Sequence, residues 1–186
     1  LFRSYCLRTF NQMFPPPTIR IAAGTNRQVR VDYTNTFQAF NIVNVAGQNY
    51  DFNHTNLHFH GSHVQPERTT DGLFYGDNVL IHLFQGEVAQ HRYDIDEDHI
   101  HEAGTFWYHP HVHGATAIQV ASGMGGAIIV EGEIDEVAGI QGAEDRIFIF
   151  QHSSITFFNI HVQPTFKIII STGILCFFRA HFTFTR

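Results

Sequence analysis

Residues 107–114 of this chain read WYHPHVHG, and residues 56–61 read NLHFHG. Both stretches contain the pattern His-x-His, in which two histidines are separated by one residue. In an extended strand successive side chains point to opposite faces, so residues i and i+2 project from the same side. Each stretch therefore predicts a strand that presents two imidazole rings side by side. Neutral imidazole binds copper, zinc, nickel and iron, so rings converging from two strands predict a site for more than one metal ion.

The His-x-His pattern is weak evidence by itself. A chain with 14 His in 186 residues contains such a pair about once by chance. The pattern also occurs at His99 and His101, and again at His111 and His113. A histidine pair of this kind is more often a surface feature than a metal site. The sequence around each pair must therefore decide which rings bind a metal.

The composition favours one β-rich domain without nucleic acid or membrane partners. A chain of 186 residues with 19 Phe can bury a sizeable core, and its Phe, Ile, Val and Thr favour strands. A net charge of −6 with 11 Lys+Arg argues against a nucleic-acid groove, and no basic run would bind an anionic membrane surface. The longest apolar run, residues 168–178, is shorter than the roughly 20 residues of a membrane-spanning helix.

Short strands separated by turns recur through residues 1–150. Alternating apolar and polar residues predict strands, and one segment, residues 115–122, favours a helical turn. Many short strands without strand–helix alternation are typical of an antiparallel sandwich or barrel. We therefore predict an all-β protein with a Greek-key β-sandwich. The predicted strands lie at residues 19–21, 29–33, 78–84, 91–95, 104–109, 126–130 and 146–150.

The pattern changes after residue 150, so we predict a domain over residues 1–150 and a divergent tail over residues 151–186. The tail is rich in Phe and Ile and has no clear turn rhythm after Gly173. Three interpretations stay open: an edge strand, a domain-swapping arm, or the truncated start of a following domain. A segment so rich in β-forming residues and so poor in charge would be prone to aggregate if it were exposed.

Five motifs resemble the first cupredoxin domain of a multicopper oxidase, the superfamily of laccase and bilirubin oxidase. They occur in the order and at the spacing of that family, which makes the set far more specific than any one motif. The resemblance implies a cupredoxin-like fold for the domain. The motifs are PPPTIR at residues 15–20, NLHFHGSHV at 56–64, GDNV at 76–79, AGTFWYHPH at 103–111 and SGMGGAIIV at 122–130.

The resemblance also implies a trinuclear copper cluster that reduces O2 to water. By resemblance, His58 is a ligand of the type 2 copper, and His60, His109 and His111 are ligands of the type 3 pair. Neutral imidazoles suit this role because they bind copper in both of its oxidation states. Three other histidines are expected to lie outside the site: His63, His101 and His113.

A carboxylate beside such a cluster is useful because the reduction of O2 consumes protons. Asp77 matches a position where the family often has a carboxylate, so we predict that Asp77 is a catalytic residue. Asp71 is the reserve candidate. The alternative interpretation is that Asp77 caps a turn of its own backbone beside Asn78.

The family completes its cluster with four further histidines and a His-Cys-His motif on a later domain. This sequence contains nothing comparable, and Cys6 and Cys176 are interpreted as structural thiols. We therefore predict a laccase-like oxidoreductase domain that supplies half of the copper ligands. It would use O2 and an unknown reducing substrate, and would be inactive until a further cupredoxin domain completes the cluster.

Two alternatives stay open: a non-catalytic copper-binding or copper-buffering module, and a degenerate remnant whose tail no longer supports assembly. The resemblance implies a periplasmic or extracellular location, although the residues by themselves leave the compartment undecided.

Overall fold

The structure, a computed structural model, describes residues 8–22, 27–38, 43–45, 47–95, 102–151 and 175–182. Strands dominate, and the helices are short. The strands are β1 (Ile19–Ala22), β2 (Arg27–Thr34), β3 (Val43–Val45), β4 (Gln48–Tyr50), β5 (His58–His60), β6 (Val88–Ile95), β7 (Gly104–His109), β8 (Gly126–Glu131), β9 (Glu144–Gln151) and β10 (Leu175–Phe182), and the helices are α1 (Thr116–Ser122) and α2 (Glu133–Glu136).

A four-stranded sheet in the order β1-β8-β7-β5 forms one layer of the fold. The first pair, β1 and β8, is parallel, whereas β7 pairs antiparallel with both of its neighbours. The sequence of β8 is almost entirely apolar, and Ile128 and Ile129 are both fully buried although they point to opposite faces. Such a continuous apolar run is typical of a strand that is covered on both faces.

The antiparallel pair of β2 and β6 forms the second layer. The Tyr93 ring of β6 stacks on the Phe59 ring of β5, with ring centroids 4.1 Å apart. The Tyr33 hydroxyl of β2 shares a hydrogen bond with the Thr55 hydroxyl, at 2.9 Å. Because β6 lies between β5 and β7 in sequence but in the other layer, the chain crosses between layers as in a Greek key. The predicted all-β, Greek-key β-sandwich is confirmed.

The strand predicted over residues 78–84 is wrong. The side-chain oxygen of Asn78 accepts a hydrogen bond from the Leu80 N–H at 2.9 Å, which folds the start of the segment into a turn. The Asn56 amide donates to two backbone carbonyls of the same segment, at 2.9 and 3.0 Å. These carbonyls are therefore taken by a side chain rather than by a neighbouring strand.

β9 and β10 form a separate two-stranded antiparallel sheet. Within residues 151–186 the structure describes Gln151 and β10, so the proposed domain boundary near residue 150 stays a prediction. The helical turn predicted at residues 115–122 is confirmed as α1. Within the described residues, neither helix is long and apolar enough to cross a membrane.

Shortening Ile128 to Ala should destabilise the sandwich, because its side chain is fully buried between the layers. We expect the free energy of unfolding to fall by about 2–5 kcal/mol, from lost apolar burial and the cavity left behind. Leu80→Ala is the control, since Leu80 is 82% exposed and its loss should change the free energy by less than about 0.5 kcal/mol. Urea titration followed by circular dichroism measures both, and equal effects would contradict this description of the core.

Candidate metal centre

The pairing of β5 with β7 brings the two His-x-His stretches together. Its register places His58 directly opposite His109 and Phe59 opposite Tyr108. Because side chains alternate along a strand, the imidazoles of His58, His60 and His109 share one face of the sheet. Phe59 and Tyr108 point the other way and belong to the buried core. The same pairing therefore builds the core on one face and a histidine cluster on the other.

Gly126 helps to fix the strand that carries His109. A Cβ atom at Gly126 would lie 2.3 Å from the ring of Tyr108, so the absence of a side chain lets that ring lie against β8. The Tyr108 hydroxyl then donates to the Pro17 carbonyl oxygen at 2.6 Å. These contacts hold the core-facing residue next to His109, and so hold β7 in place.

The structure brings all four predicted histidines together. Nitrogen atoms of His58, His60 and His109, one from each ring, lie within 4.8 Å of one another. The ring centroid of His111 lies 5.2 Å from that of His58 and 6.0 Å from that of His109. β7 ends at His109, so His111 reaches the cluster from the loop after Pro110 rather than from the extended strand that the sequence predicted.

The free lone pairs of the cluster suit a metal ion. His109 Nδ1 donates to the Pro110 carbonyl at 2.8 Å, and His58 Nδ1 donates to the Asp77 carboxylate at 2.7 Å. Both rings therefore keep the Nε2 lone pair available. His60 Nδ1 lies 3.1 Å from His109 Nε2, so in the metal-free chain His60 donates to that lone pair. Neutral imidazole nitrogens in this arrangement fit copper, a metal that this ligand type favours.

Two rings of the cluster, those of His60 and His109, have lowered pKa values. The pKa of His109 is lowered to about 4, mainly by burial, with a smaller contribution from the neighbouring rings of His58 and His60 when they are charged. Burial, followed by the charges of His58 and His111, also lowers the pKa of His60. A protonated imidazole has no lone pair for a metal, so low pKa values keep the site competent for metal binding near neutral pH.

Asp77 lies beside the cluster, and Asp71 does not contact it. The Asp77 carboxylate accepts the His58 Nδ1–H through Oδ2 and the Phe59 backbone N–H through Oδ1, at 2.7 and 2.9 Å. These bonds join two separate segments of the chain. The carboxylate of Asp71 is exposed, accepts the Leu73 N–H at 2.9 Å and lies in the loop that precedes Asp77.

Asn56, which lies in one of the motifs, and Gln119 are buried polar residues to which the sequence assigned no role. The Asn56 side-chain oxygen accepts the His111 backbone N–H at 2.5 Å, which fixes the loop that carries this ring. The Gln119 amide, on α1, donates to the Phe52 and His54 carbonyls at 2.9 and 2.5 Å, so it fixes the approach to β5. The sequence offered one signal for both roles, which is that these polar residues stand among apolar residues and histidines. A polar group buried in such surroundings usually has a hydrogen-bond partner.

The histidines expected outside the site occupy different surroundings. His63 and His113 are exposed, and neither belongs to the group of rings with converging nitrogens. His101 and Cys6 lie outside the described residues. Trp107 stacks on His109 with ring centroids 4.0 Å apart and covers one side of that ring.

Acid should destabilise the metal-free chain through His109. Its pKa falls from 6.5 in the unfolded chain to about 4 in the folded chain, so the unfolded chain binds more protons between these values. We expect His109 to remove on the order of 3 kcal/mol from the free energy of unfolding as the pH falls through this window. His109→Asn keeps a donor toward the Pro110 carbonyl but cannot titrate. The free energy of unfolding of this variant should therefore fall by about 3 kcal/mol less than that of the wild type over the same pH range. Urea unfolding from pH 7 to pH 4 measures the difference, and an unchanged pH slope would contradict it; His113→Asn is the exposed control.

A family model and several solved structures match this chain. The family model described as multicopper oxidase matches residues 5–135. The chain is similar to a multicopper oxidase from Campylobacter jejuni described as a metallo-oxidase, with 25% identity, a TM-score of 0.47, and coverage of 67% of this chain and 21% of that chain. It is also similar to a laccase-like multicopper oxidase from Ochrobactrum sp., with 24% identity, a TM-score of 0.48, and coverage of 69% and 23%.

A third similar structure is the multicopper oxidase of Pseudomonas thermotolerans, with 24% identity, a TM-score of 0.44, and coverage of 66% of this chain and 24% of that chain. The match thus spans less than a quarter of the length of these solved oxidases. The family model, in contrast, spans most of the present chain and includes both His-x-His strands. This chain belongs to the multicopper oxidase family.

Proposed function

We propose that this chain supplies half of a trinuclear copper cluster, which reduces O2 to water while a reducing substrate is oxidised one electron at a time. The observation that carries the proposal is the convergence of His58, His60 and His109, whose ring nitrogens lie within 4.8 Å of one another. Copper, when bound, supplies the one-electron redox chemistry and the activation of O2. The contribution of this chain is to hold and orient the ligands.

In this proposal His58 is a ligand of the type 2 copper, and His60, His109 and His111 are ligands of the type 3 pair. Support comes from the available Nε2 lone pairs of His58 and His109, whose Nδ1 atoms are engaged elsewhere. It also comes from the Asn56 bond that fixes the backbone of His111. Ligands whose second nitrogen is hydrogen-bonded have a set tautomer and ring orientation, which strengthens metal binding.

The remaining ligands are proposed to come from a further cupredoxin domain. His60 and His111 are exposed, so the cluster faces outward from the sandwich and is open to ligands from another domain. The chain also spans less than a quarter of the length of the solved oxidases that it resembles. Laccase-like activity would therefore require assembly, and the reducing substrate would bind outside this chain.

Asp77 is proposed to hold and pass on protons that the reduction of O2 consumes. Its Oδ2 atom lies 2.7 Å from His58 Nδ1, close enough to exchange a proton with groups around the cluster. The same hydrogen bond orients His58, so the two roles must be separated by experiment.

A non-catalytic copper-binding module is the second candidate. The observation in its favour is that three converging nitrogens come from this chain alone, so in this candidate function copper binds without a partner domain. The two candidates differ in whether O2 is consumed when the remaining domains are supplied.

Copper loading of the purified chain tests the proposal. We expect stoichiometric copper, measured by metal analysis with an electron paramagnetic resonance spectrum, and its loss in the double variant His58→Ala/His109→Ala. The matched control is His63→Ala/His113→Ala, which removes two exposed imidazoles and should keep the metal. Equal, weak binding in both double variants would contradict the site.

The activity of the chain separates the candidates. Alone, the copper-loaded chain should consume O2 with a phenolic reductant no faster than free copper does, because half of the ligands are missing. With the remaining cupredoxin domains supplied, O2 consumption should appear and should depend on His58. Turnover by the chain alone would contradict the assembly proposal, and no turnover in the assembly would favour the copper-binding module.

Asp77→Asn should weaken copper binding because it removes the carboxylate that fixes the His58 tautomer. We expect the dissociation constant for copper to rise by about 10–100-fold, as is usual when the partner of a metal-bound histidine is removed. Asp71→Asn is the matched control, since that carboxylate is exposed and bonds within its own loop. Competition with a chelator of known affinity measures both, and equal effects would show that Asp77 does not act through His58.

A further inference from the structure

We propose that His91, a buried histidine of β6, is a positioning residue that fixes Asp77 and, through Asp77, the orientation of His58. The proposal rests on the function proposed above for the histidine cluster. His91 is 1% exposed and lies outside the cluster, and none of the sequence motifs assigned it a role. Its Nδ1 atom donates to the backbone carbonyl oxygen of Gly76 at 3.1 Å.

The hydrogen bond of His91 acts on the peptide group that joins Gly76 to Asp77. The oxygen of this peptide group accepts from His91, and its N–H, which belongs to Asp77, donates to the Gln65 carbonyl at 2.8 Å. Both ends of the peptide plane are therefore held. Since a peptide group rotates as a rigid plane, this pair of bonds sets the direction in which the Asp77 side chain leaves the backbone.

The residues just before Asp77 are held against β6 on the same side. The Tyr75 N–H donates to the Gln90 carbonyl at 2.8 Å, and the Arg92 N–H donates to the Tyr75 carbonyl at 2.9 Å. His91 lies between Gln90 and Arg92 on β6. Its side chain bonds to Gly76, the residue after Tyr75, and so holds one more residue of this segment against β6. At Gly76 a Cβ atom would lie 2.0 Å from the Gln65 carbonyl oxygen, so the close approach of these two segments requires glycine there.

Stability alone does not explain a histidine at this position. The buried His91 Nε2 has no hydrogen-bond partner among the described residues, and neither has the buried hydroxyl of Tyr93, two residues further along the same face. Burial lowers the pKa of His91, so the ring is neutral and its Nε2 is an acceptor without a donor. A buried polar atom without a partner costs free energy, so the bond from Nδ1 to Gly76 is kept together with an unsatisfied Nε2 in the same ring. Residues that break a local rule in this way are expected at functional sites.

Two substitutions separate positioning from packing. His91→Asn places an amide N–H where the Nδ1–H was, so it keeps a donor toward Gly76, but it leaves part of the ring volume empty. His91→Leu fills the volume with apolar atoms and removes the donor. If His91 serves packing alone, copper binding should be weaker in His91→Asn than in His91→Leu. If His91 is a positioning residue, copper binding should be weaker in His91→Leu.

The first measurement is the tautomer of His58 in the metal-free chain, from ¹⁵N-detected ring correlations in nuclear magnetic resonance. The Nδ1–H tautomer should dominate in the wild type and in His91→Asn, because Asp77 holds that proton. It should lose its dominance in His91→Leu. An unchanged tautomer in the Leu variant would overturn the proposal, whatever the metal does.

The second measurement is the dissociation constant for copper, compared with the urea midpoint of each variant. We expect copper binding to weaken about tenfold in His91→Leu, the lower end of the effect of losing a direct partner, while its midpoint stays above that of His91→Asn because Leu fills the volume that Asn leaves empty. His91→Asn should have a lower midpoint but unchanged affinity. The proposal would be overturned if the variant with the lower urea midpoint were also the variant with the weaker copper binding. If the wild type binds no copper specifically, the proposed function fails, and the tautomer measurement still decides the role of His91.

Discussion

The pairing of β5 with β7 is the constraint on which the rest of this structure depends. Its register sets His58 opposite His109, and a slip of β5 by one residue would turn the His58 ring into the core and expose Phe59. The stacking of Phe59 on Tyr93 in the other layer opposes such a slip. The hydrophobic core therefore determines which face of the sheet carries the imidazoles, although none of its atoms belongs to the site.

Buried polar side chains fix the loops beyond the ends of β5 and β7, where there are no hydrogen bonds between strands. Asn56 holds the loop of His111, Gln119 holds the segment before β5, and Asp77 joins its own loop to His58. Each polar group is costly to bury without a partner, so each conformation that leaves one unpaired is disfavoured. The loops therefore have a fixed position although they contain no regular secondary structure. The proposed metal site needs its ligands to be fixed in this way.

The rings of His60 and His109 are kept neutral at some cost to stability. Neutral rings with low pKa values keep lone pairs available near neutral pH, but the same burial makes the metal-free chain sensitive to acid. The unpartnered Nε2 of His91 is a second cost of the same kind. Both costs fall on residues in and around the proposed metal site, where a loss of stability for the sake of function is expected.

The sequence by itself determined most of the strands and the shared face of His58 and His60, because both depend on the two-residue period of an extended chain. That period predicted β7 at its observed bounds and placed His58 and His60 on one side. Only the tertiary structure decided that residues 78–84 are not a strand, that Asp77 bonds to His58, and that His91 bonds to the Gly76 carbonyl. These features depend on contacts between residues far apart in the chain, and local spacing carries no information about which distant partner satisfies a given polar group.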